Sequence, residues 1–339
     1  MPGDEDSATP PAEGGRGDAR AAGGWAGGGD AHAAGRGAGP GRISRRAMIG
    51  GLAGGAAVLA AAVGGAVLLP RFPGSPNGPA ASPKPHGSPD GLLVDRLTTR
   101  PGFTVAHRGG SLDWPEMSME AYRNSVALGV NALEISLART SDGVWFGLHD
   151  DTLDRTSGTS GFHAAEHTWS EVQQHTITAA ETNDPTQPRQ PYLRFEELAD
   201  AYAGTHTIFV DPKAVPAEHF GELLGLMGRV KHPTATFVAK GYCTARAWPV
   251  DARARGYRTW GYYYGAEVAA DGTLFASTQE RWSWLGLDYT AGAEQWRTFA
   301  ASGKPVLAHV VPSRAAATRS RGEGALGLVV SGVREVLAA

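Results

Sequence analysis

The chain has 339 residues and a formal net charge of −3, and its 47 glycines and 22 prolines are spread unevenly along it, which points to one folded domain beside sequence that cannot build a core. So even a charge balance offers no basic face for counterion release, and nucleic acid is not expected as a partner. The single cysteine, Cys243, excludes an internal disulfide framework and any multi-cysteine zinc site.

In chain order, residues 1–41 are dominated by Gly, Ala and Pro, a composition that buries too little apolar surface to offset the entropy of ordering, and they read as a disordered tail. In residues 42–70, Arg42, Ser44, Arg45 and Arg46 precede an uncharged apolar run over 47–69 that is long enough to cross a bilayer as a helix. Ser44-Arg45-Arg46-Ala47-Met48 resembles a twin-arginine export signal. The alternative is a permanent anchor with its arginines on the cytoplasmic side. Either way the rest of the chain is expected exported across, or anchored in, the cytoplasmic membrane and outside the cytoplasm, with 47–69 as the membrane contact if uncleaved. Residues 71–97 carry Pro73, Pro76, Pro79, Pro83, Pro85 and Pro89 among Gly and Ser and read as a stiff, solvated linker.

Residues 98–339 are about as long as a (β/α)8 barrel. Short β-rich runs recur at 103–106, 132–137, 144–148, 207–210, 236–239, 257–264, 284–287, 306–311 and 326–330, and helical spacing appears at 119–128, 195–203, 217–228 and 293–301. Strand alternating with helix implies a parallel sheet, and so many repeats favour closure into a TIM barrel. The α/β barrel is expected to be somewhat irregular, because nine runs compete for eight places. Weak periodicity over about 155–191 marks a small insertion on the barrel rim.

The chemistry gathers where strands end, which is where such a barrel builds its active face. The first run leads into His107-Arg108-Gly109-Gly110, the second carries Glu134 and Ser136 on one side, the third ends in His149-Asp150, and the fourth ends in Asp211-Pro212-Lys213. Lys240 ends the fifth and faces the same rim. Two histidines, several cations and paired carboxylates suit phosphoryl chemistry: carboxylates can hold a divalent cation, cations neutralise phosphate, and imidazoles move protons. The aromatic stretch Trp260, Tyr262, Tyr263, Tyr264, with Trp282, Trp284 and Tyr289, is expected to pack, with Tyr264 and Tyr289 candidates to narrow the mouth.

The ordered series His107-Arg108-Gly109, Pro115-Glu116-Met117-Ser118, Glu134-x-Ser136, Asp142-Gly143, His149-Asp150-Asp151-Thr152-Leu153-Asp154-Arg155-Thr156 and Asp211-Pro212-Lys213 resembles the glycerophosphodiester phosphodiesterases. The resemblance is close over about 103–158 and 191–213 and weak afterwards. It implies a phospholipase C-like phosphodiesterase barrel that cleaves phosphodiesters bearing a neighbouring hydroxyl, with His107 and His149 as the acid–base pair acting through a cyclic phosphate. It further implies a divalent cation, Ca²⁺ or Mg²⁺, on Glu134, Ser136 and Asp211, while placement on the same rim makes Arg108, Glu116, Lys213 and Lys240 candidate substrate contacts. The chain departs from the family pattern at Ser136, where an acid is usual, at Asp211, which is one methylene shorter than the usual Glu, and at Met117, where Asn is usual. These departures sustain an alternative: a catalytically silent barrel that binds a phosphate or cell-wall ligand.

Overall fold

The computed structural model describes residues 94–337. Short runs of β-branched and aromatic residues form the strands, β1 (Phe103–Ala106), β2 (Ala132–Arg139), β3 (Trp145–Gly147), β4 (Thr176–Ile177), β5 (Gln190–Pro191), β6 (Thr207–Asp211), β7 (Phe237–Tyr242), β8 (Arg258–Tyr263), β9 (Trp284–Asp288), β10 (Val306–Val311) and β11 (Gly327–Val330). Eight of them pair in parallel in the order β1, β2, β6, β7, β8, β9, β10, β11, and β11 returns to β1, so the sheet is a closed barrel. Helices such as Met119–Ala127, Phe195–Tyr202, Phe220–Met227, Ala247–Ala254, Ala293–Ala300 and Arg314–Gly322 cover the outside.

The ninth β-rich run is not a barrel strand. β2 is eight residues long and outruns its neighbours, so its last three residues leave the cylinder and pair antiparallel with β3, Leu137 opposite Gly147 and Arg139 opposite Trp145. The turn between them closes on Asp142, which accepts the Thr140 hydroxyl at 2.6 Å, and on Gly143, whose φ of +89° few other residues adopt. The expected insertion packs against this hairpin. Leu153, Ala164, Trp169, Val172, Ile177 and Tyr192 surround Phe146 in a small separate core.

Inside the barrel, alternation along each strand sorts side chains into layers. The lower layer is apolar: Phe103, Val105, Ala132, Phe209, Val238, Trp260, Trp284, Leu307 and Val329 form one buried cluster. Space for its rings comes from missing side chains on other strands. A Cβ on Gly286 would lie 2.4 Å from Trp260, and one on Gly327 would lie 2.5 Å from Phe103. Val94 and Leu97, from a helical turn at the end of the segment expected as linker, are buried in the same cluster.

The expectation of an apolar membrane-crossing helix is corrected for the described residues. Among the described residues no helix is long and apolar enough to cross a membrane, because each helix only returns the chain across a layer one strand deep, and those of Met119–Ala127 and Arg314–Gly322 reach just nine residues where about 20 are needed. The tail 1–41, the span 47–69 and most of the linker lie outside the described residues.

Candidate active site

Above the apolar layer the inward positions turn polar. β1 ends at Ala106 and the chain tightens into a single turn, His107–Gly109, in which Arg108 takes a left-handed φ of +52°. That conformation is costly for an arginine, and it is held by the Arg108 backbone N–H donating to Glu134 Oε2 at 2.7 Å. Met117 repeats the device, with φ +55° and its N–H on the Arg108 carbonyl at 2.7 Å. This is the position where the resemblance expects Asn, a residue that adopts left-handed backbone more readily.

One cavity of about 370 Å³ opens at the strand ends, lined by His107, Arg108, His149, Lys213, Tyr262 and His309 among others. Burial pushes the His107 imidazole well below its ordinary value, and the Arg108 and Lys240 charges add to this, which favours its neutral form. Its Nδ1 is buried without a protein hydrogen-bond partner, as is Arg108 Nε, and such orphaned polar atoms mark a place for a ligand. His149 is also lowered by burial, which outweighs the opposing hydrogen bond to Asp150. Its Nδ1 lies 2.8 Å from Asp150 Oδ1. An ionised carboxylate can only accept, so this contact assigns the proton to Nδ1 and leaves Nε2 as the basic nitrogen.

A chain of charges ties His149 to Arg108. Asp150 Oδ2 accepts from Arg155 Nε at 2.6 Å, Arg155 donates to Glu116 at 2.7 Å and 3.2 Å, and Glu116 accepts from Arg108 at 3.0 Å. Burial disfavours the Glu116 charge, but the Arg108 and Arg155 guanidinium groups outweigh it and hold the carboxyl below its ordinary range. The structure places Glu116, expected as a substrate contact, between two arginines. Both its oxygens are spent on arginines, and it does not line the histidine cavity. Arg155 was legible only as part of the His149 to Thr156 motif, since nothing local in the sequence signals that its five donors would span three carboxylates.

Lys213 reaches the cavity from beyond β6 and donates to the Tyr262 hydroxyl at 2.5 Å. Tyr264 lines the mouth and is 44% exposed, as expected of it, whereas Tyr289 is not among the lining residues. His309, which sequence reasoning passed over, lines the cavity and lies with Nε2 2.9 Å from the Tyr263 carbonyl. Its place at an inward position of β10 was readable from strand alternation alone.

The residues expected to hold a cation have a protein partner of their own. Glu134, Ser136 and Asp211 do come together, but around Lys240. The Lys240 ammonium lies 2.8 Å from Glu134 Oε1 and 3.0 Å from Asp211 Oδ2, and it sits 5.1 Å above the Tyr262 ring. Ser136 Oγ donates to Glu134 Oε1 at 3.1 Å. Among the described residues no group of three or more His, Cys, Asp or Glu is arranged to hold a metal ion. Lys240, expected as a substrate contact, pairs with these carboxylates and also lines the cavity. Its position is the fourth barrel strand, not the fifth, because β3 stands outside the cylinder.

Buried neutral imidazoles also set a pH limit on stability. Burial lowers His206 from 6.5 to about 4, and His309 moves in the same direction for the same reason. Between those values the unfolded chain binds more protons than the folded one, so stability is complete above pH 6.5 and falls as the pH drops towards 4. His206 alone accounts for up to about 3 kcal/mol. Urea midpoints should therefore drop between pH 7 and pH 4.5, and His206→Gln should flatten that slope; a wild-type midpoint unchanged across the interval would show that His206 stays solvated.

The fold and this pocket define a class: (β/α)8 barrels with an imidazole-lined, cationic pocket at the strand ends. Comparison with known proteins specifies it. Residues 107–216 match the glycerophosphoryl diester phosphodiesterase family. Glycerophosphodiester phosphodiesterase 1 of Rattus norvegicus is 36% identical over 111 residues, 32% of this chain and 33% of that protein. The human protein of the same name is 34% identical over the same length. The chain thus spans about a third of the curated relatives it matches. Among solved structures, an Oleispira antarctica phosphodiesterase in complex with the product sn-glycerol-3-phosphate superposes with a TM-score of 0.59 at 15% identity, covering 71% of this chain and 97% of that one. Glycerophosphodiester phosphodiesterase from Thermotoga maritima gives 0.54 at 16% identity, covering 68% and 95%. The family match lies within residues 107–216, and the solved structures share the barrel fold.

Proposed function

We propose that this barrel hydrolyses phosphodiesters of the glycerophosphodiester type, with His107 and His149 as its acid–base pair. The observation that carries the reading is the convergence of both histidines with Arg108 and Lys213 on one cavity, within the segment that matches the family. One imidazole takes the proton from the substrate's vicinal hydroxyl as that oxygen bonds to phosphorus. The other protonates the alcohol oxygen as its bond to phosphorus breaks, which leaves a cyclic phosphate. Water then opens the ring with the two roles exchanged, yielding glycerol phosphate. Arg108 and Lys213 neutralise the charge on the non-bridging oxygens throughout. The bound phosphate also raises the affinity of a neighbouring imidazole for its proton, which an acid otherwise lowered by burial needs. His149 is suited to holding that proton, since Asp150 stabilises its imidazolium form.

The test is a panel of glycerophosphodiesters with different alcohols, together with matched compounds whose vicinal hydroxyl is deleted or methylated. Turnover of the former with binding but no cleavage of the latter is the expected result. Cleavage of the blocked compounds would overturn the cyclic route, and binding of all compounds without any turnover would favour the silent phosphate-binding barrel.

A further inference from the structure

We propose that the Lys240 ammonium is this chain's built-in substitute for a divalent cation, so that the site neither needs nor admits Ca²⁺ or Mg²⁺. The proposal deepens the phosphodiesterase reading, though its main readout is cation binding and does not depend on turnover.

Three observations carry it. First, three of the four carboxylate oxygens of Glu134 and Asp211 already accept from protein donors. Glu134 Oε1 accepts from Lys240 and Ser136, Glu134 Oε2 accepts from the Arg108 backbone N–H, and Asp211 Oδ2 accepts from Lys240. A Ca²⁺ site instead gathers six to eight oxygens at about 2.3–2.6 Å, and a Mg²⁺ site about 2.0–2.1 Å in an octahedron. Second, Lys240 cannot step aside cheaply. The residue is 5% exposed, and Tyr262 closes over it with its ring face. Moving its charge elsewhere would take it from two carboxylates and an aromatic face that together satisfy it. Third, the substitutions fit one another. A serine at position 136 removes an anion and supplies a hydroxyl that donates to Glu134, so two carboxylates face one ammonium with Arg108 and Lys213 left for the phosphate. A third carboxylate would have over-neutralised the ammonium, whereas a divalent ion would have called for it.

Burial works against the Lys240 charge, but Asp211 and Glu134 outweigh it and hold the ammonium protonated above its ordinary range. The same ammonium offsets the effect of burial on Glu134 and keeps its carboxyl below the usual value. Each partner thus fixes the charge of the other, which is what a permanently bound cation would do. Positioning follows as well: with Oε1 held by Lys240, Glu134 Oε2 stays in place to pin the left-handed Arg108 beside the catalytic pocket.

The test is calorimetric titration of the chelator-treated full chain with CaCl₂, MgCl₂ and MnCl₂, paired with thermal unfolding with and without each ion. Wild-type protein should show no saturable binding up to about 1 mM, the weak end of protein Ca²⁺ sites, and no ion-dependent change in Tm. Lys240→Met, which leaves two carboxylates facing each other, should gain saturable binding and a Tm that rises with the ion. Saturable one-site binding by the wild type that Glu134→Gln or Asp211→Asn removes would overturn the proposal, as would a folded Lys240→Met that ignores the ions. Should Lys240→Met fail to fold, the wild-type titration decides alone. Turnover that persists in chelator supports the proposal, and turnover lost to chelator and restored by an ion overturns it. Absence of turnover under every condition, with a negative titration, would remove the phosphodiesterase reading and leave the cation substitution standing.

Discussion

Replacing His149 or His107 by alanine should cost on the order of 10²- to 10⁴-fold in kcat/KM while leaving the barrel folded, because each supplies a proton transfer that no neighbouring group can take over. The two losses should not multiply, since the imidazoles act on one substrate as a unit. The pH profile adds a signature that a structural role would lack. Both imidazoles are held below their ordinary value by burial, so the base stays neutral further into acid than a solvated histidine, and the acidic limb of kcat/KM should lie below the usual imidazole range of about 6.5. Asp150→Asn should move the alkaline limb, which reports the imidazole that holds its proton. Losing the carboxylate at 2.8 Å from His149 Nδ1 removes the interaction that favours the protonated ring, so that limb shifts to lower pH. Near-normal kcat/KM in His107→Ala, or an alkaline limb that does not respond to Asp150→Asn, would separate these side chains from the proton transfers.

Glu116→Ala should be the most damaging change outside the pocket, lowering stability by about 3 kcal/mol and activity with it. Its carboxylate is 8% exposed and pairs with both Arg108 and Arg155, so truncation leaves two guanidinium groups facing each other with their anion gone. The figure is set at the low end of the range for breaking a buried ion pair because Arg155 keeps 29% of its side chain in solvent. Activity falls through position. Arg155 orients Asp150, which orients His149, while Arg108 is the cation meant for phosphate. Glu116→Gln keeps the volume and one acceptor and should recover much of the stability, but not the orientation of Arg155, whose bidentate contact needs two acceptor oxygens. Thermal melts set beside separate kcat and KM values would check this. A Glu116→Ala protein with wild-type Tm and wild-type kcat would show that the charge chain carries neither stability nor geometry.

Much of the barrel could be read from sequence because its strands and helices carry their own local signals. Eight of the nine β-rich runs became barrel strands, and Ser118, whose hydroxyl accepts the Ala121 N–H at 3.1 Å, starts its helix as an N-cap residue should. The run at 144–148 misled because period and composition identify a strand without naming its partner. Only the length of β2, which carries it past the cylinder, made β3 an antiparallel neighbour. Likewise the sequence placed His107, Arg108, His149 and Lys213 at strand ends, and strand ends of a closed barrel converge.

Much of the pocket's lining was therefore legible in the sequence, through motif order and strand alternation, though His309 was not singled out. Which of these side chains pair with one another was decided only by the tertiary structure. Lys240 lies 106 residues from Glu134 and 29 from Asp211, and Arg155 lies 39 from Glu116. Pairings over such separations have no local signature, because they are chosen by how the strands stagger around the barrel. Charge neutralisation in a buried site is a matter of distances of about 3 Å, and no pattern along the chain reports which cation arrives within that distance. The sequence showed carboxylates that needed a positive charge, and the fold determined that the chain itself supplies it.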